Sequence, residues 1–268
     1  MFTGDYGFFD YKSDIAGYTG QDFGSIAQYI YLIISVVLLA ILLSVFKKSS
    51  KERILKIIRI LSIFLIIFYI TKTTWESIHD IRYTGSFNTG LLPFDACSMI
   101  MPAGILSGFF RGRAREYSDA WIATGCIIGG IANMLFLNAL KFYPFFTFGA
   151  FYSMIWHFLM VFIGLLLIIT GYVDISYKTV LKGYLFHLLI SCFVIPLDFI
   201  FNWDFMMYRY LEGVPVFEDI ASGFIQNGLT FLNPVMMLIL YYLAFNVLFG
   251  ILLLINKIRK QSKLTVSA

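Results

Sequence analysis

The chain has 268 residues, of which 59% are hydrophobic and only 13% are charged, and its net charge is +4. An ordinary soluble domain carries about a quarter charged residues, so this composition excludes the soluble enzyme classes as well as a disordered or collagen-like chain. We therefore expect an all-α fold, a polytopic transmembrane bundle.

Seven apolar stretches are long enough to cross a bilayer, which takes about 20 residues per helix. They lie at residues 24–46, 57–78, 91–110, 117–140, 150–171, 180–201 and 230–254. Pro93, Asp95 and Pro102 interrupt the third stretch. We expect a single seven-helix domain over residues 24–256, preceded by an outer N-terminal arm at 1–23 and followed by a basic tail at 257–268.

The basic residues are unevenly distributed between the connections. Fifteen of the 20 Lys and Arg residues fall in the tail and in the connections after the first, third and fifth stretches, when each connection is counted into the first residues of the next span. Basic residues favour the cytoplasmic side of a membrane, so this asymmetry predicts seven spans with the N-terminus outside and the C-terminus cytoplasmic. Omitting the third span would destroy the asymmetry. We expect a multi-pass protein of the plasma membrane.

The longest connection, residues 202–228, lies on the predicted outer side and is both acidic and aromatic. It is long enough to cover the helix bundle as a lid. An aromatic belt at the membrane interface is an equally good explanation of its composition.

Polar side chains from six spans concentrate at the predicted outer ends. Because polar groups in lipid are costly, they face protein or a water-filled cavity, and we predict a polar pocket that faces outward. The candidate substrate-binding residues are Lys72, Glu76, Asn133, Asp198 and Asn233. Helix ends are polar in many proteins, which is the alternative explanation, and Lys72 and Glu76 are spaced to form a structural ion pair on one helix face.

The candidate catalytic residues are Cys97, His157 and Asp95. His157 stands alone on an aromatic helix face, where it is either a core histidine or a general base. Cys97 is either a small apolar filler or a nucleophile that needs His157 within reach. Asp95 could orient His157 or stabilise charge, or it could simply neutralise Lys72.

Other site chemistries lack their motifs. The three cysteines show no CxxC or zinc spacing, so we predict no metal site. Neither GxxxxGK nor GxGxxG occurs, and the last span has no Lys for a retinal Schiff base. We expect no cofactor and no nucleic-acid partner. Membrane lipid is the expected partner, together with a lipid or small-molecule substrate, and the oligomeric state stays open.

Two glycine pairs, Gly104 with Gly108 and Gly125 with Gly129, have the spacing that lets helices approach closely. Since they fall on neighbouring spans, they predict that the third and fourth spans pack tightly against each other.

Three short stretches carry a resemblance to a known family. The run Leu-Leu-Pro-Phe-Asp-Ala-Cys-Ser at 91–98 resembles the Leu-Pro-x-His-x-Cys-Ser signature of the bacterial YwaF-type integral membrane proteins, with Asp95 in place of the His. Ser153 and His157 resemble a Ser-x-x-x-His element of that family, and residues 202–206 resemble its last outer loop. The family is distantly similar to eukaryotic multi-span proteins that act on fatty-acyl chains, in which a thiol or hydroxyl nucleophile and a histidine carry the chemistry. The resemblance therefore implies roles for Cys97 and His157.

Two functional hypotheses follow. The first is a membrane enzyme of acyltransferase or hydrolase type that acts on lipid acyl chains, with Asn133 or Asn233 as donors to an oxyanion. The second is a solute-binding or transport protein without catalytic activity, in which Asp95, Asp198 and Lys72 hold a polar solute.

Overall fold

The computed structural model describes residues 6–11, 25–136, 143–210 and 217–266. Within these ranges the fold is all-helical and contains no strand. The eight α-helices are α1 (Ile26–Phe46), α2 (Lys51–Thr84), α3 (Ile100–Phe109), α4 (Arg113–Phe136), α5 (Phe148–Ile169), α6 (Tyr177–Phe201), α7 (Phe217–Gln226) and α8 (Leu232–Val266). Three short 3₁₀ turns accompany them, at Thr89–Leu91, Ala96–Met99 and Phe205–Met207.

Six segments of the described chain are long and apolar enough to cross a membrane: Ile26–Phe46, Lys51–Thr84, Thr89–Phe109, Phe148–Ile169, Tyr177–Phe201 and Leu232–Ile255. The all-α transmembrane fold is thereby confirmed. Each of the six overlaps one predicted span. The remaining predicted span, 117–140, overlaps α4 up to Phe136, and its last residues lie outside the described ranges. The count of seven spans and their orientation stay predictions.

Helix α4 lies at the centre of the bundle. Residues 118–127 are all buried, so every face of the helix is covered over nearly three turns. It packs against α3, α5, α6 and α8. Helices α1 and α8, in contrast, are peripheral and expose apolar side chains such as Ile33 and Val247, as expected of helices that face lipid.

The bundle has two distinct ends. At one, which we call the basic end, α2, α4 and α6 begin. There Arg59 Nε donates to the Gly108 carbonyl at 2.7 Å, and Arg115 Nε donates to the Ser107 carbonyl at 2.9 Å. At the opposite end, which we call the cavity end, α2 finishes and α5 begins, and the Trp75 ring packs edge-on against Phe148 at 5.2 Å.

The glycine pairs make different contacts from those predicted. Helices α3 and α4 do pack together, but Gly104 and Gly108 face α2: a Cβ on Gly104 would lie 3.1 Å from Ser62 Cβ, and one on Gly108 would lie 3.1 Å from Arg59 Cγ. Gly129 faces Met160 of α5. The predicted packing of the third and fourth spans is confirmed, but these glycines do not mediate it, since spacing alone identifies a smooth helix face and leaves its partner helix undetermined.

Hydropathy also missed structure outside the apolar runs. Residues 6–11, part of the predicted outer arm, return to the bundle: Phe148 N donates to the Phe8 carbonyl at 2.6 Å, Trp75 Nε1 donates to the Phe9 carbonyl at 3.1 Å, and Tyr11 is buried. The rest of that arm, 1–5 and 12–23, lies outside the described residues. The predicted 202–228 loop contains α7, and its residues 211–216 are likewise outside the described ranges.

Candidate functional site

A cavity of about 530 Å³, open space at its mouth included, lies at the cavity end of the bundle. Its walls come from α2, from α5, from Tyr143 and from the irregular chain that leads into α3, which we call the 90–98 segment. The lining comprises Tyr69, Lys72, Gly90, Leu91, Leu92, Asp95, Cys97, Ser98, Tyr143, Tyr152, Ser153, Trp156 and His157. The three predicted catalytic residues and Lys72 therefore share one cavity.

The 90–98 segment is not a continuous helix, because Pro93 separates its two 3₁₀ turns. Proline lacks an N–H and pushes the preceding residue into extended backbone, and Leu92 has φ −69° and ψ 149°. Side chains of the neighbouring helices hold the segment by its carbonyls. Tyr69 of α2 donates to the Leu91 carbonyl, and Trp156 Nε1 of α5 donates to the Cys97 carbonyl at 3.3 Å. Hydrogen bonds from α2 and from α5 thus fix this irregular segment in place.

Cys97 lies at the beginning of a helix. The 3₁₀ turn Ala96–Met99 runs directly into α3, and Asp95 precedes it in extended backbone with no capping bond from its side chain. The first N–H groups of a helix have no partner within it, and they form the positive end of its dipole. A thiol at this position has backbone donors beside it.

His157 is held by one ring nitrogen. Its Nδ1 lies 2.7 Å from the Ser153 carbonyl, one helical turn back, and 3.4 Å from Ser153 Oγ. A carbonyl can only accept, so this contact assigns the ring proton to Nδ1 and leaves a lone pair on Nε2 of the neutral ring. Within the described residues Nε2 has no hydrogen-bond partner. The Ser153 carbonyl, rather than Asp95, therefore orients the ring.

Lys72 and Glu76 form the ion pair that their spacing allows. The Tyr143 hydroxyl donates to the second oxygen of the buried Glu76 carboxylate. Burial, together with this carboxylate, raises the pKa of Tyr143 well above its usual value, so the phenol keeps its proton. The Lys72 ammonium lies 5.5 Å from the Tyr152 ring centroid and 6.0 Å from that of Tyr143. Lys72 is thus a fixed cation in the cavity wall.

Four of the five predicted binding residues are not part of the cavity lining. Glu76 pairs with Lys72 and Tyr143, which do line it. Asp198 Oδ1 accepts from the Phe205 amide at 3.0 Å, and Asn233 Nδ2 donates to the Arg209 carbonyl at 2.5 Å. Both residues hold the loop that follows α6. Asn133 is half-buried on α4. The polar residues of six spans thus do not converge on one site as predicted, since charge and depth alone do not reveal which helix faces meet.

The chain from Asn202 to Tyr210, which we call the α6 loop, inserts into the bundle behind the 90–98 segment. Phe205, Met206 and Tyr208 are buried, and the Phe205 ring packs edge-on against Phe94 at 5.4 Å. Met206 and Met207 both have left-handed backbone, with φ of 54° and 60°, which is uncommon for such residues. This conformation persists because burial and hydrogen bonds determine the loop's path.

Sequence reasoning missed the aromatic walls of the cavity, although a signal for them exists. Tyr152 and Trp156 are spaced i, i+4, as are Ser153 and His157, so these four residues cover one side of α5. Tyr69 and Lys72, spaced i, i+3, likewise share a face of α2. A single sequence does not distinguish aromatic rings that fill a helix bundle from rings that line a cavity. The sequence therefore did not identify these residues as cavity walls.

The described residues contain no group of three or more His, Cys, Asp or Glu side chains that could hold a metal ion. The chemistry available in the cavity is that of a thiol, an imidazole, a carboxylate and an ammonium group.

Comparison with known proteins identifies one family. The model of the TMEM164 family, a multi-span membrane family, matches residues 23–256, which is most of the chain. The matched range includes all six candidate spans and every residue that lines the cavity. No curated protein and no solved structure matches the chain.

Proposed function

The chain belongs to the TMEM164 family, and we propose that it is a membrane enzyme that transfers or hydrolyses the acyl groups of lipids. The observation that carries this proposal is the shared cavity of Cys97, His157 and Asp95. The resemblance of residues 91–98 to the YwaF-type signature supports the same chemistry. The excess of basic residues at the opposite end supports a cavity that opens at the outer face of the plasma membrane.

In the first step the Cys97 sulfur attacks the carbonyl carbon of an acyl ester. His157 Nε2 removes the thiol proton, and the Ser153 carbonyl stabilises the resulting imidazolium through Nδ1. When the tetrahedral intermediate collapses, the ester C–O bond breaks and His157 returns the proton to the leaving alkoxide. The products are a thioester on Cys97 and a lipid alcohol.

In the second step a hydroxyl group attacks the thioester carbonyl. His157 takes the proton of the attacking group and gives it to the departing Cys97 sulfur, which restores the free thiol. A lipid alcohol as the attacking group completes acyl transfer, and water completes hydrolysis. No redox partner is required in either step.

The donors to the oxyanion in this scheme are backbone N–H groups at the beginning of the helix that carries Cys97. Asn233 is not available for that role, because its amide already donates to the Arg209 carbonyl. The cation of Lys72 adds positive charge to the same cavity, where it interacts with the Asp95 carboxylate. Leu91 and Leu92 give the cavity an apolar side toward which an acyl chain can lie.

The test uses the purified full chain in phospholipid vesicles that contain a phospholipid with an isotope-labelled acyl chain. We expect release or transfer of the label, measured by mass spectrometry, and losses of at least about a hundredfold in Cys97→Ala and His157→Gln. Cys192→Ala and His187→Gln are matched controls, because Cys192 is exposed and His187 is not part of the cavity lining. Full activity in Cys97→Ala would contradict the proposal.

A solute-binding function without catalysis is the second candidate, and the opposite charges of Lys72 and Asp95 in one lining favour it. It predicts that a polar solute protects Cys97 from a thiol reagent in the wild type. This protection is lost in Asp95→Asn while no acyl product forms in any variant. Acyl turnover that depends on Cys97 would rule this candidate out.

A further inference from the structure

The basic end carries a surface of exposed cations that neither the cavity nor the packing of helices uses. We call it the basic surface; it consists of Lys47, Lys48, Lys51, Lys56, Arg111, Arg113 and Lys178, all exposed. Among the described residues none of these seven side chains forms a hydrogen bond or an ion pair. They lie in three parts of the chain: the α1–α2 connection with the first two turns of α2, the α3–α4 connection with the first turn of α4, and the first turn of α6.

Other cations at the same end do have structural partners, which makes the contrast clear. Arg59 and Arg115 donate to carbonyls at the end of α3, and Lys182 pairs with Glu116. The Arg53 guanidinium lies over the Phe46 ring at 5.2 Å. The seven residues of the basic surface are therefore a separate group, and the fold itself does not account for them.

Their placement is electrostatically unfavourable within the chain. Helices α2, α4 and α6 all begin at this end, and Lys51, Arg113 and Lys178 lie in their first turns. A helix begins at the positive end of its dipole, where cations destabilise it and anions stabilise it. The acidic side chains in the same parts of the chain are Glu52, Glu116 and Asp174, fewer than the seven cations, and Glu116 is already paired with Lys182. The basic surface thus has a positive potential that an external anion would relieve.

The surface lies where apolar spans end. Lys47 and Lys48 directly follow α1, and Arg111 follows Phe109 and Phe110, whose rings are 49% and 51% exposed. Exposed phenylalanine rings at the end of a membrane span lie in the hydrocarbon region, so the cations that directly follow them lie at the level of the lipid headgroups. The anions within their reach are lipid phosphates.

We propose that the basic surface binds anionic lipid headgroups in the leaflet at this end of the bundle. Each Lys or Arg near an anionic membrane surface contributes about 1 kcal/mol of attraction at moderate ionic strength. Several exposed cations in these three parts of the chain hold a shell of such lipids around the basic end. This role is independent of the chemistry in the cavity.

The experiment measures lipid retention by the purified full chain. The protein is extracted with its surrounding lipid from vesicles of phosphatidylcholine and phosphatidylglycerol, and the ratio of the two lipids in the extracted particles is compared with the ratio in the vesicles. We expect enrichment of phosphatidylglycerol that falls at least roughly tenfold when Lys48, Lys51, Lys56, Arg111 and Arg113 are all replaced by Gln. It also falls for the wild type in high salt, because salt screens exposed charges.

The matched control exchanges the same five residues between Lys and Arg and so preserves every charge; we expect its enrichment to equal that of the wild type. The salt series on the wild type needs no variant and keeps the test valid if the neutral variant inserts poorly. Equal lipid ratios in wild-type particles and vesicles would overturn the proposal. So would an enrichment that survives both high salt and the Gln replacements, since the charges would then serve membrane insertion only.

Discussion

Two regions of the bundle are packed in different ways. Around α4, helices touch backbone to backbone: a Cβ on Gly164 of α5 would lie 2.8 Å from the Ile122 carbonyl, and one on Gly183 of α6 would lie 3.0 Å from that of Ala120. In the region toward the cavity end, the 90–98 segment and the α6 loop replace helix, and side chains such as Trp156 hold them by carbonyls.

The difference shows how a membrane protein can keep irregular backbone. Exposed backbone polar groups are costly in lipid, so non-helical chain needs partners from neighbouring helices. Close packing around α4 provides a rigid frame. Side chains that project from this frame form hydrogen bonds with the backbone of the irregular segments. We infer that substitutions in the frame change how closely the helices approach, whereas substitutions of the side chains that hold the irregular segments change the cavity lining directly. Both lower stability.

The largest effect on stability is expected for Phe205→Ala. Phe205 is 3% exposed and packs against Phe94 and Trp203. Emptying such a site costs about 3–5 kcal/mol, and the 90–98 segment loses its support from behind. Thermal unfolding in detergent measures the loss. Phe231→Ala is the control, since its ring is 60% exposed; equal losses in the two variants would mean that the α6 loop is not a support.

A glycine pair tests the frame. A Cβ on Gly130 would lie 2.9 Å from the His157 carbonyl and 2.6 Å from Val161 Cγ2, whereas one on Gly129 would meet only Met160 Cε at 3.4 Å. We expect Gly130→Ala to lower the unfolding free energy by about 1–3 kcal/mol through overpacking. It also reduces acyl turnover, because it pushes α5 away at His157.

Gly129→Ala is the matched control. It replaces glycine by a better helix former, so we expect unchanged or slightly raised stability and unchanged turnover. If the two neighbouring glycines respond alike, the close approach of α4 and α5 does not position His157.

Two tryptophans test the role of the side chains that hold the irregular segments. Trp156 Nε1 donates to the Cys97 carbonyl, whereas the buried Trp121 Nε1 has no hydrogen-bond partner among the described residues. Replacing each by Phe shrinks a buried ring, but only Trp156→Phe removes a hydrogen bond. We expect Trp156→Phe to lose about 0.5–1.5 kcal/mol more unfolding free energy than Trp121→Phe. Its acyl turnover should also be slower. A Trp121→Phe variant that loses more stability and turnover would contradict this assignment.

The smallest effect is expected at the basic end. The hydrogen bond from Lys182 holds the pKa of the exposed Glu116 below its usual value. A lowered carboxyl pKa stabilises the fold at neutral pH, and that contribution disappears as the pH falls through the folded-state pKa. We therefore expect Lys182→Gln to have a slightly lower unfolding free energy than the wild type at neutral pH and the same unfolding free energy in acid. Unfolding measured at both pH values tests this. A difference that persists in acid would point to packing instead.

The spans were predictable because apolar runs of sufficient length allow little but membrane helices. The residues at which the helices begin and end were predicted less well. Helix α2 extends over Lys51–Thr84, well beyond the predicted 57–78, because helix propensity and capping continue where hydropathy fades. The Ser50 side chain accepts from the Arg53 amide at 3.3 Å and fixes its beginning.

The site was predictable in part. Asp95, Cys97 and His157 stand out because ionisable and thiol groups are rare in apolar runs, and they do share a cavity. Asp198 and Asn233 have the same signature but hold the α6 loop. Which polar residue lines a cavity and which fixes a loop depends on how the helices are rotated, and hydropathy carries no information about this rotation.

The most direct test of the proposed chemistry is the mass of the intact protein after brief exposure to phospholipid. The account predicts an acyl adduct on Cys97 that hydroxylamine removes, as it does thioesters. The adduct should be absent in Cys97→Ala and strongly reduced in His157→Gln. An adduct that forms equally well in His157→Gln, or only on Cys126 or Cys192, would contradict the account.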